Sequence, residues 1–202
     1  KKVMNKKLAI IGAGGHGKVV GEIALLSKYE AIDFFDDNEK NIKKFPFNIC
    51  GNLDQLKNNL KDYDAFFVAI GDCQKRHEKT SWLKKEKVNI VSLVHPKSTI
   101  SEFSFLGVGT CVMANAVVNP GTFIKDGVII NTSSSIDHDC VIEDYAHISP
   151  NCSLSGNVNV GKYTHLGTGS SVHPGVHIGN NVKTGIGSKV FKDILDDIVF
   201  KN

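Results

Sequence analysis

A histidine bracketed by carboxylates, Ile136-Asp137-His138-Asp139, is the strongest chemical signal in this 202-residue chain. A neighbouring negative charge favours the imidazolium form and so raises basicity, which suits His138 to general-base work. Adjacent side chains on an extended chain diverge, so His138 and Asp139 meet only where the backbone turns sharply. A second signal is Gly12-Ala13-Gly14-Gly15-His16-Gly17, which follows the apolar run Leu8 to Ile11. Asp36 stands about 20 residues further on, so the stretch satisfies the dinucleotide fingerprint and by itself would indicate a nicotinamide oxidoreductase. The physics of the loop is less particular. Glycines let a backbone approach a diphosphate, and a helix amino terminus favours its charge, whichever diphosphate-bearing ligand is offered. The plain alternative is a tight strand-to-helix turn that holds no ligand.

Other constellations are weaker. His147 and His165 stand eighteen residues apart and, with His138 or with His173 and His177, suggest a metal site. The spacing does not clearly reproduce the three-histidine zinc centre of a hexapeptide-repeat carbonic anhydrase, and no metal is expected. Ser135 beside His138 and Asp139 resembles a nucleophile triad in composition only, because serine is what the small-residue positions of this region use. Cys50, Cys73, Cys111, Cys140 and Cys152 are odd in number and lack C-x-x-C spacing, which indicates neither a disulfide framework nor a zinc knuckle.

The elements that must carry these residues are legible from two textures. From Ile100 to Val190 an aliphatic residue returns every six positions, with Thr184 the only miss. Four residues after each stands a small or β-branched one, from Ser104 and Thr110 through Cys140 and Cys152 to Ser188. A period of six fits neither a 3.6-residue helix nor a long alternating strand. It fits a short strand and a turn repeated as a parallel β-helix, with both columns pointing inward and stacking on their own copies one coil on. One coil alone cannot bury its apolar face, so regularity is required, and periodicity alone leaves a passive scaffold open.

Before the repeat the texture is βαβ: strands at Leu8 to Ile11, Ala31 to Phe35, Ala65 to Ile70 and Asn89 to Val94, helices at Lys18 to Leu26 and Gln74 to Glu86. This predicts a small Rossmann-like α/β domain over residues 1–95 and an all-β parallel β-helix over 96–202, with His95-Pro96 at the boundary. The first segment is half of a doubly wound dinucleotide fold, and the second mononucleotide half is missing. A net charge of +3 without a basic stripe interleaved with aromatics speaks against nucleic acid. No apolar run approaches the roughly 20 residues of a membrane span, and the opening Lys1-Lys2-Val3-Met4 lacks a signal-peptide core. A cytoplasmic location is expected, with Met4 a candidate native start.

Across nearly the whole chain the motifs also run in a known order. Gly-Ala-Gly-Gly-His-Gly, Phe35-Asp36-Asp37, Ala69-Ile70-Gly71, Val94-His95-Pro96, Asn131-Thr132-Ser133, Asp137-His138-Asp139-Cys140-Val141-Ile142 and Ser155-Gly156-Asn157-Val158 resemble the bacterial sugar acetyltransferases of the bacillosamine type. Perosamine N-acetyltransferases and sialic acid O-acetyltransferases are relatives of that group. The resemblance implies a left-handed β-helix, a homotrimer, acetyl-CoA in the groove between two β-helices and a nucleotide-linked amino sugar on the small domain. It implies His138 as general base and Asp139 as its supporting acid. Gly14, Gly15, His16, Asp36, Asp37, Gly71 and Asn131 would contact the nucleotide sugar. His147, Gly156, Thr168, Gly185 and Ile186 would contact the coenzyme, with the Gly156 N–H facing the thioester oxygen. The implied activity is N-acetylation of the 4-amino group of a UDP-linked sugar; sialic acid O-acetylation and a non-catalytic nucleotide-sugar scaffold are the alternatives. One departure is the end of the chain, Phe200-Lys201-Asn202, where the family commonly continues into a Pro-Ala-Lys type tail.

Overall fold

The computed structural model describes residues 6–27, 29–38 and 45–201, so the opening residues Lys1 to Met4 lie outside it. The chain divides into two compact units, Lys1–Leu93 and Val94–Asn202. In the first, β1 (Lys7–Ile11), β2 (Ala31–Phe35), β3 (Ile49–Gly51) and β4 (Ala65–Val68) form a parallel sheet in the order β3-β2-β1-β4. The central position of β1 explains its unbroken apolar run, because a strand with neighbours on both sides in a parallel sheet buries both faces, and Leu8 to Ile11 are all buried. Helices α1 (Gly15–Leu26), α2 (Leu53–Asn58) and α3 (Cys73–Lys85) complete the unit.

Two elements depart from the sequence reading. The β3–α2 piece escapes it because three residues are too few to show a period. A capping box does mark α2: Asn52 accepts from the Gln55 N–H, and Gln55 accepts from Asn52. The expected strand Asn89 to Val94 reduces to a single bridge, Phe66 to Ile90, and a two-residue strand at Leu93–Val94. The reason is register. Val94 stands eighteen residues before Val112 and is therefore already in phase with the coil, which is why the units part at Leu93/Val94, two residues ahead of the His95-Pro96 punctuation.

The second unit is a left-handed parallel β-helix of two-residue strands on three faces. Up to Val190 each strand pairs with the strand eighteen residues on: Ile124 with Ile142, Ile130 with Ile148, Ile136 with Leu154; the last coil is two residues shorter, Lys183 pairing with Val199 and Ile178 with Ile194. Aliphatic ladders fill the interior, and Ile124, Ile130, Ile136, Ile142, Ile148, Val160 and Leu166 are wholly buried. The small column mixes Ala and Val with buried Ser and Thr, whose hydroxyls burial would penalise unless they found acceptors. The ladder supplies one. Thr122 Oγ1 donates to the Asp137 carbonyl at 2.7 Å, Ser134 Oγ to Ser149 at 2.9 Å and Thr164 Oγ1 to Gly179 at 2.7 Å. Cys140 and Cys152 follow suit, their thiols meeting the Ser155 and Gly167 carbonyls. Thr184, the miss in the aliphatic column, receives the Gly167 N–H at 2.8 Å and sits 3.1 Å from Ser170 Oγ.

Sharp corners separate the strands. Residues at the turns take the left-handed conformation whether or not they are glycine: Asn115, Ser133, Asp139, Tyr145, Asn151, Asn157, Tyr163 and Asn181 lie at φ between +52° and +59°. Because the core is a stack of like on like, truncating one rung leaves a hole its neighbours cannot fill. Ile142→Ala should therefore cost about 2–5 kcal/mol of unfolding free energy, read as a lowered denaturation midpoint in urea.

Candidate active site

His138 and Asp139 occupy a corner of the β-helix. The left-handed backbone at Asp139, φ +58°, supplies the sharp turn that two adjacent side chains need in order to converge. The result is a 2.8 Å hydrogen bond from His138 Nδ1 to Asp139 Oδ2. Asp137 turns the other way: it accepts the His138 N–H at 2.8 Å and the Asn119 amide at 2.9 Å. These two donors hold the Asp137 carboxyl below its ordinary range, the Asn119 amide contributing most. The Asp139 hydrogen bond raises the His138 imidazole above its ordinary value against desolvation, with the charges of Asp137 and Asp139 adding to the rise. Both side chains of the pair are more than half exposed, 55% and 59%. With the proton on Nδ1, Nε2 is the available base.

Gly156 stands eighteen residues after His138 and therefore beneath it in the stack. A Cβ built on Gly156 would lie 2.5 Å from His138 Nε2 and 2.6 Å from Cε1, so the imidazole occupies the space that any larger residue would take. Among the described residues nothing accepts the Gly156 N–H. Gly121, one coil before Asp139, plays the same part for the carboxylate, whose Oδ1 covers it. The dyad is thus seated between two glycines, one for each member.

A second group forms on another face. His147 and His165 pair across adjacent strands, with rings 4.4 Å apart and 9° from parallel. Asn131 Oδ1 accepts the Thr132 N–H at 2.8 Å, which turns its Nδ2 towards His147 Nε2 at 3.1 Å. Nε2 is therefore an acceptor, and the His147 proton resides on Nδ1. Ser149 Oγ holds His165 Nε2 at 2.9 Å. Thr168 and Ile186 share a third column at a corner, where the Gly187 N–H meets the Thr168 carbonyl at 2.8 Å. Ile186 is 85% exposed beside Gly185.

In the first unit Gly14, Gly15, His16, Asp36, Asp37 and Gly71 all line one cavity of about 670 Å³, a size suited to a small ligand. The glycine loop is built for two purposes. Gly12, at φ +107°, lies against the Ala69 carbonyl, and Gly17 against the Gly12 carbonyl, so those two close the turn. Gly14 and Gly15 touch none of the described residues at the Cβ position. Asp36 clamps the loop: Oδ2 accepts the Ala13 N–H at 2.7 Å and Oδ1 the Asn38 N–H at 2.8 Å. Asp37 Oδ1 caps the start of α2 through the Leu53 N–H at 2.9 Å. Burial holds His16 down at about 4, Arg76 adding to the effect, so its imidazole is neutral.

Arg76 was absent from the sequence reading and is the largest buried charge here, 1% exposed. Its Nη1 donates to the Ile70 and Gly71 carbonyls, 2.9 Å each, and holds the turn after β4. The signal that would have found it is its place four residues after the Asp72 N-cap, on the first turn of α3 and facing the turn that precedes it. Lys75 and Lys79, also missed, line the cavity. Among the described residues no group of three or more His, Cys, Asp or Glu is arranged for a metal, and no helix is long and apolar enough to cross a membrane.

Residues 7–83 match the family described as the PglD N-terminal domain. UDP-N-acetylbacillosamine N-acetyltransferase of Bacillus subtilis (strain 168) is 34% identical over 113 residues, 54% of this chain; the match spans about half, 52%, of that relative. The acetyltransferase domain of PglB from Neisseria gonorrhoeae FA1090, solved in complex with acetyl coenzyme A, is 37% identical with a TM-score of 0.93, covering 98% of this chain and 97% of that one. A histidine-to-asparagine mutant of perosamine N-acetyltransferase from Caulobacter crescentus, in complex with CoA and GDP-perosamine, is 31% identical with a TM-score of 0.91 over 97% and 93%. With likeness of this extent over both units, the chain belongs to the family of hexapeptide-repeat sugar N-acetyltransferases that includes the PglB acetyltransferase domain and perosamine N-acetyltransferase.

Proposed function

We propose that the chain transfers an acetyl group from acetyl-CoA to the 4-amino group of a nucleotide-linked amino-dideoxy sugar, UDP-linked in the first instance, for surface glycan or glycoprotein synthesis in the cytoplasm. The observation that carries this reading is the His138–Asp139 dyad seated over Gly156, an oriented base beside an unengaged backbone donor. The likeness to proteins solved with acetyl coenzyme A and with GDP-perosamine supports the substrate classes.

An amine attacks only when unprotonated, so His138 Nε2 takes a proton as the nitrogen bonds to the thioester carbon. The C–N bond forms and the C–S bond breaks, and the imidazolium returns its proton to the departing CoA sulfur. No acyl-enzyme is needed. The Gly156 N–H donates to the oxyanion, a contact whose loss costs roughly 2.7–4 kcal/mol of barrier in well-studied oxyanion holes. Asp139 fixes the tautomer and stabilises the charge that His138 acquires. Asn131 meets the sugar and His147 the coenzyme, and their mutual hydrogen bond ties the two contacts together. Thr168, Gly185 and the exposed Ile186 line the path of the coenzyme. Gly14, Gly15, His16, Asp36, Asp37 and Gly71 hold the nucleotide sugar.

Incubation with acetyl-CoA and a panel of UDP- and GDP-4-amino-sugars, with sialic acid alongside, should release free thiol with an amino sugar. Release with sialic acid alone would favour O-acetylation, and none with any acceptor would leave a binding scaffold. His138→Ala should lower kcat at least about a hundredfold with acetyl-CoA binding kept; unchanged turnover would remove His138 from the mechanism. Because the base must be unprotonated and its pKa is raised, the acid limb of kcat/KM against pH should fall above about 6.5, the ordinary histidine value. Asp139→Asn removes the main stabiliser of imidazolium and should move that limb to lower pH. The active assembly in this reading is a homotrimer with the coenzyme between neighbouring coils, and sedimentation equilibrium should return three times the chain mass.

A further inference from the structure

The cavity over the glycine loop carries two cations that belong to no part of the loop motif. Lys75 and Lys79 stand four apart on α3 and hence on one face, with Cβ atoms about 5–6 Å apart. Both line the cavity together with Gly14, Gly15 and Gly71. Among the described residues a Cβ on any of those three glycines would meet nothing within 4 Å. None of the described packing imposes their bareness. That bareness leaves room for something else.

The cavity has an acidic and a basic side. Asp36 and Asp37 line it too, but Asp36 spends both oxygens on the Ala13 and Asn38 N–H groups and Asp37 one on the Leu53 N–H. The start of α1 has neither a side-chain cap at Gly14 nor an acidic residue in its first turn, so its own N–H groups are left for a ligand. From α3, Lys75 is exposed and pairs with no carboxylate among the described residues, while Lys79 Nζ reaches the neighbouring Glu78, at 3.1 Å. Buried Arg76 fixes the Ile70–Gly71 turn from which this face of α3 begins. The lysines at the other end of the same helix, Lys84 and Lys85, are exposed and lie outside the cavity.

We infer that Lys75 and Lys79 bind the diphosphate of the nucleotide sugar, one ammonium for the charge on each phosphate, as specificity contacts additional to the glycine loop. The inference rests on the nucleotide-sugar reading of this cavity. A diphosphate meets the helix N–H groups and the ammoniums together, whereas a nucleotide lacking the second phosphate would meet only part of the set.

Calorimetric titration of the full chain with UDP and with GDP tests this. Lys75→Gln and Lys79→Gln should each weaken binding of the preferred diphosphate about three- to tenfold, as expected for partly exposed charges. Raising the salt concentration should weaken the wild type more than the double variant. Lys85→Gln should bind as wild type, and every variant should keep its thermal midpoint and its affinity for acetyl-CoA. Equal diphosphate affinity in wild type and double variant would overturn the lysine assignment while leaving the nucleotide-sugar reading in place. Failure of the wild type to bind either diphosphate would overturn both, and a lysine variant that also lost acetyl-CoA would show a structural role instead.

Discussion

The eighteen-residue coil sets the spacing of the second unit through all but its last turn. Each side chain lies over its own copy one coil away, at the roughly 4.8 Å spacing of paired strands, and only left-handed corners keep that register closed. The inward columns turn this constraint into a core of aliphatic ladders. The outward columns turn it into chemistry. His138 rests over Gly156 and Asp139 over Gly121, and His147 stacks on His165, because each pair is one coil apart. A side chain at 156 would push the imidazole off its seat without harming the core, so the glycine there answers to the site and not to the fold.

One residue type performs three tasks through its surroundings. At the corner, a carboxylate hydrogen bond in open solvent makes His138 a stronger base. On the neighbouring face, the oriented Asn131 amide makes His147 a fixed acceptor. Above the glycine loop, burial and the Arg76 guanidinium keep His16 uncharged, so it sits within the cavity as a neutral imidazole. The separation follows from local dielectric and partner charge.

The glycine loop shows how a motif can overstate its own meaning. Asp36 stands where a dinucleotide-binding fold presents its ribose acid, yet both of its oxygens accept backbone N–H groups and one of them pins the loop itself. Of the four glycines, Gly12 and Gly17 serve the turn, whereas Gly14 and Gly15 face the cavity. Among the described residues the four-stranded sheet is joined by no second mononucleotide half. What remains suits the single diphosphate of the proposed nucleotide sugar better than the two nucleotides of a nicotinamide cofactor.

Hydrophobic period and turn chemistry are local properties, so the β-helix, its inward columns and the βαβ start were legible in the sequence alone. The His138 corner and the glycine loop were legible for the same reason, each being contiguous in the chain. Register at the boundary was not, since Val94 reads as the end of a strand until its partner eighteen residues on is known. Nor were β3, the Asp36 clamp or the cavity lysines, which depend on residues far apart in the chain, while the Arg76 anchor is local and depends on the direction in which the helix turns its side chain. Spacing along the chain determined which side chains stack. Only tertiary structure decided that a left-handed φ at Asp139 brings two neighbours to 2.8 Å, because a hydrogen bond is settled by a backbone angle and a direction that composition does not encode.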